Sequence, residues 1–213
     1  LIIAGLALAL PVFFMLFIFV FSYLRWESER GDLISNVDHY YNYIRAAQTR
    51  NQKVEFDSKQ GGVPTRIYDR NNVLIGEFMT DRKEVVPSRE IPDLLKKAVI
   101  AMEDTEFYEH NGINLRRLMH ALLENIFSSR TIGGSTITQQ LAKLLFTNRE
   151  QTLQRKVFEF FGAKELESRF SKDDILLLYL NTVYFGHGAW GVEAASKLYF
   201  NKPVRMLNVY ECT

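Results

Sequence analysis

An uncharged run at the start of the chain is the feature that most restricts how this sequence can fold. Residues 1–24 carry no charged side chain, whereas a helix packed on a water-soluble core shows one apolar and one polar face. At about 1.5 Å per residue, a helix of this length crosses a hydrocarbon core of roughly 30 Å. A cleaved signal peptide would have a shorter apolar region and a small-residue cleavage site, which this run lacks. We therefore expect a membrane anchor over residues 1–24, with Tyr23 and Trp26 at its water interface.

The rest of the chain divides into three segments by its patterning. Residues 25–62 are polar with scattered aromatic residues, as expected of a membrane-proximal connector, and residues 63–90 hold two short strand-like runs around an Asp-Arg-Asn-Asn turn. From residue 91 onward, apolar residues recur at helical spacing. Two of these patterns run through Leu95, Ala98, Val99 and Met102, and through Leu115, Leu118, Met119, Leu122 and Ile126. The sequence predicts a mainly α domain over residues 91–213, preceded by a small β-containing segment.

Three later segments complete the predicted helical domain. A long helix is expected over about residues 150–170, and Ser171 then caps the next helix, which has two acidic residues in its first turn. Residues 181–191 hold three glycines and several aromatic residues, which predicts an ordered loop before a helix over residues 192–199. The pattern at residue 213 still reads as helix, so we expect the chain to be cut short there.

Composition excludes two broad classes. The formal net charge is only +1, whereas a general nucleic-acid binder normally carries a strong basic excess. Cys212 is the single cysteine, which rules out an internal disulfide framework.

Residues 133–143 read Gly-Gly-Ser-Thr-Ile-Thr-Gln-Gln-Leu-Ala-Lys and open a predicted helix. The unpaired backbone N–H groups at such a start would suit an anion such as a phosphate. Thr136 and Gln139 also fit the Ser/Thr-x-x-Glu/Gln capping box, which is the commoner explanation of the spacing. Both explanations stay open on this segment alone.

Two acidic residues stand in opposite settings. Glu103 ends the first predicted helix, where the negative end of the helix dipole disfavours an ionised carboxylate. Glu159 follows Arg155 and Lys156 by four and three residues on one helix, which favours its ionised form. Two carboxylates with divided roles are typical of glycosyl chemistry. Taken singly, an exposed acidic turn and a surface ion pair are the commoner explanations.

Other polar residues give weaker signals. Lys143, Arg149, Arg155 and Lys156 form a basic stretch that fits either a diphosphate site or a solvated helix face. We expect a structural role for His110, because no second histidine lies nearby at metal-ligand spacing.

Five short blocks occur in order along the domain. They are Glu103-Asp-x-x-Phe107-x-x-His110-x-Gly112, Gly133-Gly-Ser-Thr-x-Thr-Gln-Gln-x-x-Lys143, Arg155-Lys-x-x-Glu159, Tyr179-Leu-Asn-x-x-Tyr-Phe-Gly186 and Tyr199-Phe-x-Lys202. Together they resemble the signature blocks of the peptidoglycan glycosyltransferases, glycosyltransferase family 51, from about residue 90 to the end. Residues 63–90 also resemble the short β-containing segment that precedes this domain in class A penicillin-binding proteins. The resemblance therefore leads us to expect a transpeptidase domain beyond Thr213.

The resemblance implies a lysozyme-like, mainly α fold on the outer side of the bacterial cytoplasmic membrane, which the chain would cross once. It implies polymerisation of lipid II into β-1,4-linked glycan strands, with inversion and release of undecaprenyl diphosphate. By carry-over, Glu103 would be the general base. Glu159 would be the second catalytic acid, serving the diphosphate or a divalent cation, Mg or Mn, bound to it. The implied substrate-binding residues are Phe107, Ser135, Gln139, Gln140, Lys143, Arg155 and Lys156.

The resemblance also sets the expected partners. These are lipid II, the growing glycan strand, the lipid bilayer, and cell-division or elongation proteins that the sequence does not identify. Neither an organic cofactor nor a nucleic acid is expected.

The chain departs from the family's usual pattern at three positions. His120 and Gln151 stand where the family commonly has arginines assigned to diphosphate contact, and Leu144 replaces a common asparagine. Histidine is charged only when protonated, and glutamine never is. These departures leave open a catalytically impaired scaffold that binds lipid II. A lysozyme-like enzyme that cleaves glycan stays open as well, because it would share the fold and the glycan substrate.

Overall fold

The computed structural model describes residues 2–50, 65–68, 70, 74–78, 82–127, 133–146 and 153–212. The chain divides into two compact units. Unit 1 comprises Leu1–Tyr40 and Glu103–Ile175, and unit 2 comprises Tyr41–Met102 and Leu176–Thr213.

The described elements are mostly helical, which confirms the mainly α prediction. The helices are α1 (Ile2–Arg50), α2 (Asp93–Glu103), α3 (Leu115–Phe127), α4 (Ile137–Phe146), α5 (Leu153–Arg169), α6 (Lys172–Thr182) and α7 (Val192–Phe200). The strands are β1 (Thr65–Tyr68), β2 (Leu74–Phe78), β3 (Arg82–Lys83) and β4 (Ala189–Trp190), and short 3-10 helices lie at Ser88–Glu90, Val204–Met206 and Val209–Glu211.

Two small sheets accompany the helices. Strands β1 and β2 pair antiparallel, with Thr65 opposite Phe78, which confirms the hairpin predicted after residue 63. Strands β3 and β4 pair in parallel, with Arg82 opposite Ala189. The second pairing joins distant segments of unit 2, and the sequence patterns did not predict it.

Helix α1 runs without a break through the expected anchor and into the expected connector, as far as Arg50. Trp26, which we expected at a membrane interface, is only 2% exposed. Its ring meets Phe146 and Phe158 edge-on, at centroid distances of 5.4 and 5.6 Å. Part of the expected connector is therefore a packed helix of unit 1. No helix among the described residues is both long and apolar enough to cross a membrane.

Helices α4 and α5 form the centre of unit 1. A Cβ atom on Gly162 would lie 2.5 Å from the Phe146 ring and 3.2 Å from the Ala142 Cβ atom. Real Cβ atoms do not come this close to a ring carbon, so a glycine allows the two helices their close approach. The surrounding core consists of buried Ile137, Leu141, Ala163, Leu166 and Phe170.

The apolar stripes on α2 and α3 predicted the helices correctly but not their burial. Met102 is 79% exposed, and Leu115 and Met119 are 68% and 54% exposed. Helical spacing reports which residues share a face, and whether a neighbouring element covers that face depends on packing.

Unit 2 is organised around Asn181, which lies on α6 one residue before its end. Its Oδ1 accepts a 2.8 Å hydrogen bond from the Val86 amide, and its Nδ2 donates to the carbonyls of Val86 and Leu177. Gly191 has φ +80°, and a Cβ there would lie 2.8 Å from the Asn181 carbonyl oxygen. The loop that follows α6 is ordered, as predicted. The Asn181 side chain joins the backbone at Val86 to α6.

Candidate active site

The start of α4 is a closed capping box. The Gln139 amide donates to Thr136 Oγ1 at 3.1 Å, and the Thr136 amide donates to Gln139 Oε1 at 3.0 Å. The next amide, on Ile137, donates to Asp104 Oδ2 at 3.0 Å. A carboxylate of the protein itself thus lies at this helix start, so the capped-helix explanation is confirmed and a phosphate site there stays a prediction. Gln139 Oε1 takes part in the cap, and the expected place of Gln139 on a substrate groove stays a prediction.

Asp104 ties the first sequence block to the second. Its carboxylate is fully buried, and Oδ2 also lies 2.9 Å from His110 Nε2. The Gly112 amide donates to His110 Nδ1, so Nε2 carries the ring hydrogen and donates to Asp104. The prediction of a structural His110 is confirmed. The sequence interpretation passed over Asp104, although its place beside Glu103 in the block was the available signal.

Gly112 completes this turn. Its φ is +83°, and a Cβ atom would lie 2.9 Å from Glu167 Cγ. Its carbonyl accepts a 2.7 Å hydrogen bond from Thr136 Oγ1. The turn after α2 and the first turn of α4 are therefore fixed to each other at two points.

Glu103 is the last residue of α2 and is half-buried. Its Oε2 accepts a 2.7 Å hydrogen bond from Gln140 Nε2. Asp104 and Glu103 thus contact residues 137 and 140, which lie one turn apart on the same face of α4. The hydrogen bond holds one carboxylate oxygen of Glu103, and the residue stays partly exposed.

Glu159 lies in α5 and is 2% exposed. Its Oε2 accepts a 2.6 Å hydrogen bond from Lys156 Nζ, and its Oε1 lies 3.0 Å from Arg155 Nε, in an orientation that makes an ion pair without a hydrogen bond. Both predicted ion pairs are confirmed. They are not a simple surface feature, however, because the Glu159 carboxylate is buried. Leaving a buried charge without its partner lowers the free energy of unfolding by about 3–5 kcal/mol.

Comparison with known proteins agrees with these features. A family model described as Transglycosylase matches residues 71–213. The chain belongs to the transglycosylase family. It is 44% identical over 148 residues to penicillin-binding protein 1F of Bacillus subtilis, covering 69% of this chain and 21% of that protein. It is 43% identical over 155 residues to penicillin-binding protein 1A of Clostridium perfringens (70% and 23%), and 46% identical over 136 residues to penicillin-binding protein 2a of Streptococcus pneumoniae (64% and 18%). The chain spans about a fifth of the length of these relatives.

The remaining substrate-binding residues expected of a transglycosylase lie in differing surroundings. Lys143 is exposed and follows Gln140 by three residues on α4, so the two share a face. Ser135 is half-buried beside the cap. Phe107 is fully buried, with Lys172 Nζ 4.6 Å from its ring centre. The Phe107 ring packs the turn, and its expected place at a substrate entrance stays a prediction.

Two of the three positions that depart from the family pattern stand where arginines are common. His120 is exposed on α3. Gln151 lies outside the described residues, as does Arg149. The Arg117 guanidinium, also on α3, lies 3.6 Å from Asp104 Oδ1.

Proposed function

We propose that this chain is a peptidoglycan glycosyltransferase that polymerises lipid II. The observation that carries the proposal is the pair of carboxylates in opposite settings. Glu103 is half-buried and held by one neutral donor at 2.7 Å, whereas Glu159 is buried between two cations. A carboxylate open to a substrate hydroxyl suits proton transfer, and one neutralised by cations suits electrostatic and structural work.

In the proposed reaction, Glu103 acts as general base. The 4-hydroxyl oxygen of the acceptor's N-acetylglucosamine bonds to the anomeric carbon of the donor's N-acetylmuramic acid, and the hydroxyl proton passes to Glu103. The bond from that carbon to the diphosphate oxygen breaks, and undecaprenyl diphosphate leaves with its electron pair. Attack opposite the leaving group inverts the anomeric centre.

The cations around Glu159 would stabilise the leaving diphosphate. Lys156 is half exposed, and Lys143 is exposed one turn beyond Gln140. Arginine and lysine are the usual partners of phosphate oxygens. In this proposal Glu159 orients Arg155 and Lys156, and the three act as one charged group.

A divalent cation, Mg or Mn, stays a prediction for the bound diphosphate. The surroundings of Glu159 do not fit a role as its ligand, because each carboxylate oxygen already faces a cation within 3.0 Å. Among the described residues, no three His, Cys, Asp or Glu side chains lie close enough to hold a metal ion. We therefore derive no step through a metal held by this chain.

We further propose that the chain is the N-terminal part of a class A penicillin-binding protein with a lysozyme-like catalytic domain. Its first helix would be a single-pass anchor in the bacterial cytoplasmic membrane, with the domain on the extracytoplasmic side. Large apolar side chains on α1, including Phe13, Leu16, Phe17 and Leu24, are at least 59% exposed, which suits lipid contact. Lipid II, the growing strand and the bilayer are the proposed partners.

Labelled lipid II added to the detergent-solubilised chain tests the function. We expect long glycan strands, visible as a ladder on gels and digested by a muramidase. Short fragments released from preformed glycan would instead identify a glycan-cleaving enzyme. Lipid II binding without any strand formation would identify a scaffold.

A further inference from the structure

We propose that Gln140 is a positioning residue for Glu103. This inference rests on the proposed function. Gln140 Nε2 donates to Glu103 Oε2 at 2.7 Å, a short distance for an amide and typical of a charge-assisted hydrogen bond. The contact joins residues 37 positions apart, so it depends on the fold and not on local sequence.

The backbone around Gln140 is fixed before its side chain reaches the carboxylate. The Gln140 amide donates to the Thr136 carbonyl at 2.9 Å, which closes the first turn of α4. That turn is held by the capping box and by the hydrogen bond from Ile137 to Asp104. Since Asp104 adjoins Glu103, the same helical turn fixes both the backbone and the side chain of the proposed base.

The hydrogen bond has a direct consequence for proton transfer. It engages one carboxylate oxygen, Oε2, and in this proposal the other oxygen, Oε1, takes the proton of the acceptor hydroxyl. A carboxylate held in one rotamer loses less conformational freedom when the reaction begins. The two neighbouring glutamines thus have separate tasks, Gln139 in the helix cap and Gln140 on the base.

Steady-state kinetics of lipid II polymerisation by the full chain separate the two roles. Gln140→Glu keeps the size of the side chain but replaces the donor with an oxygen that repels Glu103, and Gln140→Met keeps the length without a donor. We expect kcat to fall about 10- to 100-fold in both variants, more in Gln140→Glu, with KM for lipid II within about twofold of wild type. Asn201→Asp makes the same amide-to-carboxylate change on an exposed residue of unit 2 and should leave both constants unchanged.

The outcomes distinguish the inference from the proposed function. A raised KM with unchanged kcat in both variants would make Gln140 a substrate contact and overturn its positioning role. Unchanged kcat and KM would overturn it too, while leaving the polymerase intact. A wild-type chain that forms no strands would defeat the proposed function itself. A thermal unfolding curve for each variant shows that the fold is retained, because a loss of kcat with an unchanged unfolding midpoint is what positioning predicts.

Discussion

Replacing Trp26 with alanine tests whether α1 is part of unit 1 or only a tether. The Trp26 side chain is 2% exposed and meets two rings edge-on, at 5.4 and 5.6 Å. Truncating a buried aromatic residue to alanine costs about 3–5 kcal/mol in lost transfer energy and cavity formation. We take about 4 kcal/mol as the expected loss. For a chain of 150–250 residues this lowers the unfolding midpoint by roughly 8–16 °C.

The assay is thermal unfolding in detergent, followed by far-UV circular dichroism, with the same change at an exposed aromatic residue of the same helix as control. Phe17 is 67% exposed, so Phe17→Ala should change the free energy of unfolding by about 0.5 kcal/mol or less. Trp26→Phe should retain much of the packing and fall between the two. A loss below about 1 kcal/mol for Trp26→Ala would refute the reasoning, because α1 would then contribute no packing to unit 1.

Two further substitutions probe one residue each. Gly112→Ala should destabilise the chain by at least about 1 kcal/mol in denaturant titrations, because φ is +83° and the new Cβ meets Glu167; an unchanged midpoint would contradict it. At Lys197, burial lowers the pKa, but hydrogen bonds and charges from Glu84 and Glu193 outweigh burial and raise the pKa above its ordinary value of 10.5. The folded chain therefore holds this proton more tightly, so the stabilisation is complete below pH 10.5 and is lost as pH rises through the folded-state value. Wild type should lose stability faster than Lys197→Met above that pH, and parallel curves would argue against the linkage.

Local sequence signals predicted the local structure well. Two helix caps each join partners three residues apart. One is the capping box of Thr136 and Gln139, and in the other the Ser171 hydroxyl accepts a hydrogen bond from the Asp174 amide. The ion pairs of Glu159 use the three- and four-residue spacing of a helix. In each case helix geometry alone brings the partners together, so these contacts can be predicted from the spacing of residues in the sequence.

Contacts between helices could not be read in the same way. Asp104 and the Ile137 amide are 33 positions apart, and Trp26 meets rings on α4 and α5. Phe107 illustrates the same limit, because an aromatic residue within a signature block can face either a substrate or the core. Which of these applies depends on helix packing, for which a single sequence gives no periodic signal.

Binding and turnover measured together on Glu103→Gln test the central claim most directly. Glu109→Gln is the matched control, since Glu109 is an exposed carboxylate six residues away. With Glu103 as general base, Glu103→Gln should bind labelled lipid II with wild-type affinity and form strands at least about 100-fold more slowly, while Glu109→Gln behaves as wild type. Strand formation by Glu103→Gln at the wild-type rate would contradict the account.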